Sequence, residues 1–358
     1  YHASTPKRSR QRPPCADPKV RQMAKDVLLV TGGMGFIGSN FVRFMLKSKQ
    51  MEVIVLDKLT YAGNPANLKD LVDAGKVRFV KGDICDPKAV DPLVKEADVI
   101  VNFAAETHVD RSIHSGLDFA LTDTVGMGVL LEAMKKHGAD RFIQISTDEV
   151  YGEAPGHPSK ETDALFPKSP YAASKAGGDR LAWSYFATHG LDVVITRCSN
   201  NYGPRQYPEK LIPLMVTNAL EGKQLPVYGH GKNTRDWIHV DDHANAIDML
   251  IDLGKAGEIY NIGSGIEKSV LEIADEVLKE LDKPKSLIEH VADRPGHVTR
   301  HAVDTTKVRR EVGWAPERSF EKAIKETVAW YRDNPNWWRP IKSGEFRKYY
   351  ELQYGQAA

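Results

Sequence analysis

The chain has few cysteines. Cys15, Cys85 and Cys198 are the only three in 358 residues, and no two of them form a C-x-x-C pair. The sequence therefore favours neither a disulfide framework nor a zinc site, and it predicts reduced thiols in a cytoplasmic protein. Long hydrophobic runs are also missing, because no apolar stretch reaches the ~18 residues of a membrane helix. A membrane-spanning role is not expected.

An excess of one charge is absent as well. The 49 Lys and Arg residues nearly balance the 48 Asp and Glu residues, which leaves a net charge of +1. Without a global positive field, the chain is not expected to bind nucleic acid or an acidic membrane. Residues 1–25 are polar, basic and proline-bearing and lack the apolar core of a signal peptide. We interpret them as a flexible leader or tag, with a partner-binding arm as the alternative.

What the sequence does contain is a repeated alternation of short apolar runs and longer segments with helical spacing. The runs are too short for helices and are typical of buried parallel strands. They are Val27–Val30, Val53–Leu56, Val77–Val80, Val99–Phe103, Phe142–Ile145 and Val193–Ile195. This pattern predicts an α/β fold, a doubly wound parallel sheet of the Rossmann type, with its ligand crevice at the carboxyl ends of the strands.

A glycine-rich turn follows the first apolar run. Gly32, Gly35 and Gly38 form a G-x-x-G-x-x-G pattern that opens a helical segment. Glycine lets backbone N–H groups approach a pyrophosphate, which the helix N-terminus stabilises. Asp57 ends the second run and can accept hydrogen bonds from an adenosine ribose, which favours NAD over NADP, although Lys58 weakens that preference. A tight turn without a ligand is the alternative.

Two further strands end in residues suited to the same cofactor. Asp83 and Ile84 follow the third run and are placed to contact the adenine, with a solvated turn as the alternative. Ala104 and Ala105 follow the fourth run. Because both are small, they allow the cofactor to approach the backbone closely.

The fifth run leads to a hydroxyl residue, Thr147. Downstream, Tyr171 and Lys175 lie four apart in a helical stretch, so they share one helix face. Lys175 is expected to lower the pKa of the phenol, and Tyr171 can then remove a proton from a substrate hydroxyl as hydride leaves for nicotinamide. A glycine loop, a strand-end Thr and a Y-x-x-x-K motif in this order resemble the extended short-chain dehydrogenase/reductase family.

Two adjacent carboxylates, Asp148 and Glu149, indicate which chemistry of that family applies. A dehydratase needs one group to take a proton from carbon and another to protonate a departing hydroxyl, whereas a simple epimerase or dehydrogenase needs no such pair. Neighbouring carboxyls tend to split their pKa values, which suits one acid and one base. A capped loop with two solvated acids is the alternative.

The chain resembles the nucleotide-sugar 4,6-dehydratases of that family over roughly residues 26–355, in segments such as AAETHVDRSI, NNYGPRQYPEKLIP and GKNTRDWIHVDD. The resemblance implies dehydration of a nucleotide-activated glucose, with dTDP-glucose as the expected substrate. The 4-keto-6-deoxy product forms by transient oxidation at C4, loss of water across C5 and C6, and return of hydride to C6. A UDP- or CDP-glucose dehydratase, or a UDP-sugar epimerase or decarboxylase, is the alternative. A catalytically silent NAD-binding sensor is the alternative from another class.

The resemblance also assigns residues, with Glu149 taking the C5 proton, Asp148 donating to the C6 oxygen, and no metal. The implied cofactor contacts are Gly32, Gly35, Phe36, Ile37, Gly38, Asp57, Lys58, Thr60, Asp83, Ile84, Ala104, Ala105, Thr122, Ser146, Tyr171 and Lys175. The implied substrate contacts are Thr107, Thr147, Asp148, Glu149, Asn200, Lys210, Leu211, Pro226, Tyr228, Arg235, Asn261, Asp293, Arg294 and His297.

The strand–helix rhythm stops near residue 200. Residues 26–200 are therefore predicted to form the NAD-binding domain with the catalytic residues, and residues 201–358 mainly a substrate-binding lobe with possible returns to the first domain. Thr124–His137 and Tyr171–Ala187 resemble helices of a four-helix homodimer interface, with core packing as the alternative. Asp123 stands where the family usually has asparagine, and His301 stands where tyrosine is common.

Overall fold

The computed structural model describes residues 27–293 and 296–343, together with Phe346, Tyr350 and Gln353. The predicted leader at residues 1–25 and the candidate substrate contact Arg294 lie outside the described residues.

The strands of the described residues number along the chain from β1 to β13. They are β1 (Val27–Thr31), β2 (Glu52–Asp57), β3 (Val77–Lys81), β4 (Val99–Asn102), β5 (Arg141–Thr147), β6 (Val193–Cys198), β7 (Asn200–Tyr202), β8 (Leu225–Tyr228), β9 (Thr234–His239), β10 (Ile259–Ile262), β11 (Glu267–Ser269), β12 (Ile288–Val291) and β13 (Arg300–His301).

The helices of the same residues connect and cover these strands. They are α1 (Phe36–Ser48), α2 (Lys69–Asp73), α3 (Pro87–Glu96), α4 (Val109–His114), α5 (Leu117–Ala120), α6 (Met127–His137), α7 (Pro170–His189), α8 (Leu211–Glu221), α9 (Val240–Leu253), α10 (Val270–Glu280), α11 (Thr306–Val312), α12 (Phe320–Asp333) and α13 (Pro335–Lys342). A π-helical turn, Leu121–Gly126, joins α5 to α6, and short 3-10 turns lie at Pro65–Asn67, Asp148–Tyr151 and Lys285–Leu287.

Seven strands form one sheet in the order β10-β6-β5-β4-β1-β2-β3, and every neighbouring pair is parallel. The chain order reverses between β1 and β4, which places a ligand crevice at their carboxyl ends. The predicted Rossmann-type α/β fold is therefore confirmed.

The strands are apolar on both sides because helices cover both faces of the large sheet. Leu28 and Val30 of β1 pack in a cluster with Phe41 of α1 and Ile247 of α9. Leu29, between them, faces the opposite cluster, which contains residues of α3, α6 and α7. This arrangement explains why the strand sequences read as continuous apolar runs rather than alternating patterns.

A smaller unit is built around β9, which pairs with β7 and β13 in parallel and with β11 in antiparallel orientation. The parallel pair β8–β12 and helices α8, α10 and α12 surround a second core with Met215, Val277 and Val328. The chain also returns to the large sheet after residue 200, because β10 adds an edge strand beside β6 and α9 packs on α1. Among the described residues, no helix has the length and apolarity needed to cross a bilayer.

Candidate active site

The glycine turn between β1 and α1 is packed too tightly for larger residues. Gly32 has a φ of +69°, and a Cβ there would lie 2.6 Å from the backbone nitrogen of Ala104. A Cβ on Gly38 would lie 2.5 Å from the carbonyl oxygen of Gly32. The absence of side chains brings the turn, the start of α1 and the end of β4 together, which leaves a backbone-lined cradle of the kind that holds a pyrophosphate.

Replacing Gly38 with alanine is expected to weaken NAD binding by at least about tenfold, because a displacement of the turn that costs roughly 1.4 kcal/mol is sufficient for that change. Isothermal titration calorimetry measures the Kd. Gly156→Ala is the matched control, since a Cβ at Gly156 meets no atom within 4 Å. An unchanged Kd in Gly38→Ala contradicts the assignment of this turn to the cofactor.

At the ends of β2 and β3, the cleft contains a hydrogen-bonded carboxylate and an ion pair. Asp57 accepts hydrogen bonds from the backbone N–H groups of Met34 and Leu59, at 2.9 and 2.8 Å. Burial raises the pKa of Asp57, and these two hydrogen bonds oppose that change. Lys58 pairs with Asp83 at 2.8 Å, so its charge is partly neutralised by the neighbouring strand end.

The two adjacent carboxyls after β5 have different surroundings. Glu149 lines the cleft beside Thr147, whose hydroxyl oxygen accepts a hydrogen bond from the Glu149 backbone N–H at 3.2 Å. Asp148 lies behind the cleft surface at 2% exposure, and its Oδ1 accepts a hydrogen bond from the Thr147 hydroxyl at 3.2 Å. Asp148, which was predicted as a substrate contact, therefore does not itself line the cleft.

Burial raises the pKa of Asp148 well above its usual value, and the neighbouring Glu149 charge raises it further. Asp236 adds to this effect, while Arg235 opposes it. The consequence is a carboxyl that keeps its proton to higher pH than an ordinary aspartate, next to a partly exposed glutamate. The expected division into one acid and one base thus has a physical cause in the different burial of two neighbouring residues.

Tyr171 lies in the first turn of α7, which Ser169 caps by accepting the Ala172 N–H at 3.1 Å. The expected lowering of the Tyr171 pKa by Lys175 is wrong: burial raises it well above its usual value, and the Glu149 charge raises it further. The Lys175 ammonium is engaged elsewhere. It donates to the Ile145 carbonyl oxygen at 2.8 Å and lies 3.9 Å from a carboxylate oxygen of Asp123.

The opposite wall of the cleft is basic. Lys210 precedes α8, and Leu211 is the first residue of that helix, so the helix N-terminus opens onto the cleft. Arg235 of β9 is buried on the same wall and donates to the Val298 carbonyl oxygen at 2.9 Å. Two cations and a helix N-terminus are suited to a diphosphate.

The structure brings most of the predicted site residues to this one cleft. All of the predicted cofactor residues line it. The predicted substrate residues that line it are Thr107, Thr147, Glu149, Asn200, Lys210, Leu211 and Arg235.

Other predicted substrate residues include Tyr228 and His297, which contact each other. Tyr228 donates from its hydroxyl to Asp110 at 3.2 Å, and its ring meets that of His297 edge-on at 6.1 Å. His297 contacts Asp293 at 2.7 Å. Pro226 lies on β8, two residues before Tyr228. These residues do not line the main cleft, although the loop that carries His297 borders a small side pocket beside Glu149.

Asn261 is placed inside the fold and does not line the cleft. Its side chain is fully buried, accepts a hydrogen bond from the Tyr151 hydroxyl at 2.8 Å and donates to the Ser159 carbonyl oxygen at 2.8 Å. Both groups of the amide are therefore committed to holding β10 against the residues that follow β5. The prediction of Asn261 as a substrate contact does not agree with this position.

Several cleft residues were not predicted. Glu106 and Tyr207 line the cleft within segments whose sequence likeness to the family was noted, so that likeness was the available signal. Trp237, which also lies in such a segment, and His301 line the cleft on the paired strands β9 and β13. Their position depends on long-range strand pairing, which local sequence patterns do not reveal. In the described part of the chain, no group of three or more His, Cys, Asp or Glu side chains is placed to hold a metal ion.

Comparison with known proteins agrees with this site. The family model described as GDP-mannose 4,6 dehydratase matches residues 29–327. A dTDP-glucose 4,6-dehydratase of Streptomyces niveus is 54% identical over 321 residues, which cover 88% of this chain and 96% of that protein.

Two solved structures are similar over the same extent. DesIV, a dTDP-glucose 4,6-dehydratase from Streptomyces venezuelae solved with NAD bound, is 49% identical, with a TM-score of 0.87 and coverage of 88% of this chain and 100% of that one. The dTDP-glucose 4,6-dehydratase of Bacillus anthracis, also in complex with NAD, is 47% identical, with a TM-score of 0.83 and the same coverage. The chain therefore belongs to the extended short-chain dehydrogenase/reductase family and, within it, to the dTDP-glucose 4,6-dehydratases.

Proposed function

We propose that this chain is an NAD-dependent lyase that converts dTDP-glucose to its 4-keto-6-deoxy derivative by removing water across C5 and C6. The observation that carries this proposal is the position of Glu149, which opens onto the same cleft as Thr147, Tyr171 and Lys175. An oxidoreductase needs only the last three of these residues. A carboxylate among them supplies the base for removing a proton from carbon.

The first step needs a base for the 4-hydroxyl of the sugar. Tyr171 accepts that proton, and Thr147 hydrogen-bonds the same oxygen. NAD, when bound in this cleft, would supply the hydride acceptor for C4 and later the donor to C6. A positively charged oxidised ring near the phenol would favour the phenolate and so oppose the effect of burial on the pKa of Tyr171.

The ketone at C4 acidifies the C5 proton, and Glu149 removes it. Asp148 supplies the proton for the C6 oxygen through the Thr147 hydroxyl, which lines the cleft and lies 3.2 Å from Asp148 Oδ1. The C6 oxygen departs as water, and C5 regains a proton from Glu149 at the end of the cycle. The cycle closes when Tyr171 releases the 4-hydroxyl proton to solvent and Asp148 takes up a proton from solvent, so the net change is the loss of one water. Asp148 is suited to the acid role because burial keeps it protonated, and its buried Oδ2 makes no hydrogen bond within the described residues.

Asp148→Asn is expected to lower kcat by about two orders of magnitude or more, because the acid for the departing hydroxyl is lost.

The same substitution is expected to raise the free energy of unfolding relative to wild type as the pH rises. A raised carboxyl pKa means that ionising Asp148 costs more in the folded than in the unfolded protein, so its contribution to stability falls as pH rises above the usual Asp range. Urea unfolding at about pH 5 and about pH 8 should show that the free energy of unfolding of the variant, relative to that of wild type, is larger at the higher pH. A relative free energy of unfolding that falls over the same rise in pH would contradict the burial of Asp148 as the cause of its raised pKa.

The diphosphate of the substrate is assigned to the basic wall, where Lys210, Arg235 and the N-terminus of α8 converge on the cleft. Asn200 and Thr107 line the same cleft as these cations and Glu149. Tyr228 and His297, whose rings meet edge-on, present ring edges and faces suited to a nucleobase. The unit around β9 thus contributes most of the substrate contacts, and the large sheet contributes the cofactor and catalytic residues.

A comparison of dTDP-, UDP- and CDP-glucose with NAD present tests the function. Formation of a 4-keto-6-deoxy sugar from dTDP-glucose, detected by its near-ultraviolet absorption in alkali, is the expected result. Conversion of UDP-glucose to its C4 epimer would instead support the epimerase alternative. Faster dehydration of UDP- or CDP-glucose would assign another nucleobase.

Cys85 and Cys198 are both free thiols, which suits the reducing cytoplasm in which we place the reaction.

We also propose that the protein acts as a homodimer through a surface that includes parts of the predicted interface helices, Thr124–His137 and Tyr171–Ala187, and extends to the preceding residues Leu117 and Leu121. Leu117, Leu121 and Val125 lie four residues apart on the continuous α5–α6 segment and are 70%, 45% and 50% exposed. Trp183 of the neighbouring α7 is 41% exposed. A row of exposed apolar side chains across two adjacent helices is typical of a surface that a second copy covers.

Leu121→Glu is expected to give a monomer, because the dimer would bury the new charges without partners. Sedimentation velocity measures the mass. Leu253→Glu is the control, since Leu253 is 54% exposed at the end of α9, which packs on the other face of the large sheet. A dimer that survives in Leu121→Glu, or a wild-type protein that is already monomeric, would place the interface elsewhere or exclude it.

A further inference from the structure

The mechanism leaves one buried carboxyl next to the catalytic residues without a role. Asp123 is 4% exposed and accepts a hydrogen bond from the Ser174 hydroxyl at 2.6 Å through Oδ2. Its other oxygen, Oδ1, lies 3.9 Å from the Lys175 ammonium. Asp123 does not line the cleft, so it does not contact substrate or cofactor directly.

Backbone packing fixes this carboxyl in place. Asp123 belongs to the π-helical turn between α5 and α6, and such turns are frequent at functional sites. The turn lies directly against α7, because a Cβ on Gly178 would come within 2.4 Å of the Asp123 carbonyl oxygen. A Cβ on Gly177 would lie 3.1 Å from the Thr124 hydroxyl. Two glycines thus allow the backbone that carries Asp123 to approach the helix that carries Tyr171 and Lys175.

We propose that Asp123 is a positioning residue whose negative charge holds the Lys175 ammonium and sets the pH range in which Tyr171 accepts the substrate proton. The inference deepens the proposed function, on which it rests. An asparagine, which the family usually has at this position, would preserve the shape of the contact with Ser174 but not its charge. This chain has aspartate at the position, so the contact carries a negative charge.

Several groups face Tyr171 from the elements packed around it. Besides burial, the charges of Glu149 and then Asp123 raise its pKa, followed by Cys198 of β6 and Asp148. Lys175 is the cation on its own helix. Cys198 is a neutral thiol at ordinary pH, because burial raises its pKa to about 12.

The remaining acidic neighbour is Glu106, in the loop after β4. Burial raises its pKa, Lys58 opposes that change, and Asp118 and Asp123 add to it. Glu106 is not among the groups that act most strongly on Tyr171. After Glu149, which has its own catalytic role, Asp123 is therefore the negative charge with the strongest influence on Tyr171, and a substitution can remove it without touching the cleft.

The sign of the effect follows from the charges. Tyr171 must be a phenolate before it accepts a proton, and a nearby negative charge disfavours the phenolate. Asp123 therefore moves the acid limb of the pH–rate profile to higher pH. Asp123 itself is subject to opposing influences, since burial raises its pKa and Lys175 and Ser174 lower it.

The test is the dependence of kcat on pH in wild type and Asp123→Asn. The acid limb in the variant is expected to lie about one pH unit lower, the size of shift that a buried neighbouring charge commonly produces. A second measurement does not depend on turnover. Ultraviolet titration, taken as the difference from the same protein with Tyr171→Phe, should show the phenolate forming at lower pH in Asp123→Asn.

Asp118→Asn is the matched control, because Asp118 is an exposed acid on the adjoining α5 whose removal should leave the limb unmoved. An unmoved limb in Asp123→Asn overturns the proposal, and so does a uniform fall in kcat at every pH, which would indicate only a structural role. If wild type fails to dehydrate any of the sugar nucleotides, the proposed function fails instead, and the phenol titration still decides the role of Asp123.

Discussion

Tyr171→Phe is expected to lower kcat by about three orders of magnitude, because no other described group on its helix face can accept the proton of the 4-hydroxyl. The ring remains, so its edge contact with Phe119 and the packing of α7 should survive. Binding of NAD and of the sugar nucleotide is expected to change little. Steady-state turnover gives kcat, and calorimetry gives the two Kd values.

Tyr185→Phe provides the control for removing a phenol from the same helix. Tyr185 lies near the far end of α7, where its hydroxyl donates to Glu132 at 2.6 Å on the protein surface. Its kcat should remain within about twofold of wild type. Turnover that persists in Tyr171→Phe would assign the proton to another base. A wild-type protein that binds NAD and the sugar nucleotide without turnover would support the silent sensor.

Much of the fold was predictable because it depends on local patterns. A strand buried on both faces must be apolar throughout, and parallel strands place their carboxyl ends at one edge of the sheet. Asp57, Asp83, Ala104 and Thr147 each follow a separate apolar run, so their meeting in one cleft follows from the alternation of strands and helices. The glycine spacing then identifies the edge at which a dinucleotide binds.

The return of the chain to the large sheet was only a possibility at the level of sequence. β10 pairs with β6 across about 60 residues of chain, and α9 packs on α1, and neither contact leaves a local signature. The same limit applies to Trp237 and His301, which reach the cleft through the pairing of β9 with β13.

Side-chain orientation was the main source of errors. Asp148 and Glu149 are neighbours in sequence, yet one is buried and the other lines the cleft, because the 3-10 turn after β5 points successive residues in different directions. Spacing placed Tyr171 and Lys175 on one helix face, but it did not show that Asp123 draws the ammonium toward the π-helical turn. Burial first, and then the Glu149 and Asp123 charges, raise the pKa of Tyr171, and none of these follows from the four-residue spacing.

Glu149→Gln is expected to stop the reaction after its first step. Tyr171 and Thr147 remain to oxidise C4, but the base for the C5 proton is lost, so kcat should fall by about three orders of magnitude. Mass spectrometry of the quenched enzyme should then find a sugar nucleotide lighter than the substrate by two hydrogens, the 4-keto-glucose form. In deuterated water, this variant should not exchange the hydrogen at C5.

Asp148→Asn distinguishes the roles of the two carboxyls, because it removes the acid and retains the base, Glu149. That variant should still exchange the C5 hydrogen with solvent while it fails to expel water, since proton removal precedes loss of the C6 hydroxyl. Exchange in Glu149→Gln together with its loss in Asp148→Asn would reverse the roles of the two residues. The burial that keeps Asp148 protonated would then have to be relieved when the sugar binds, because a protonated carboxyl cannot take a proton from carbon.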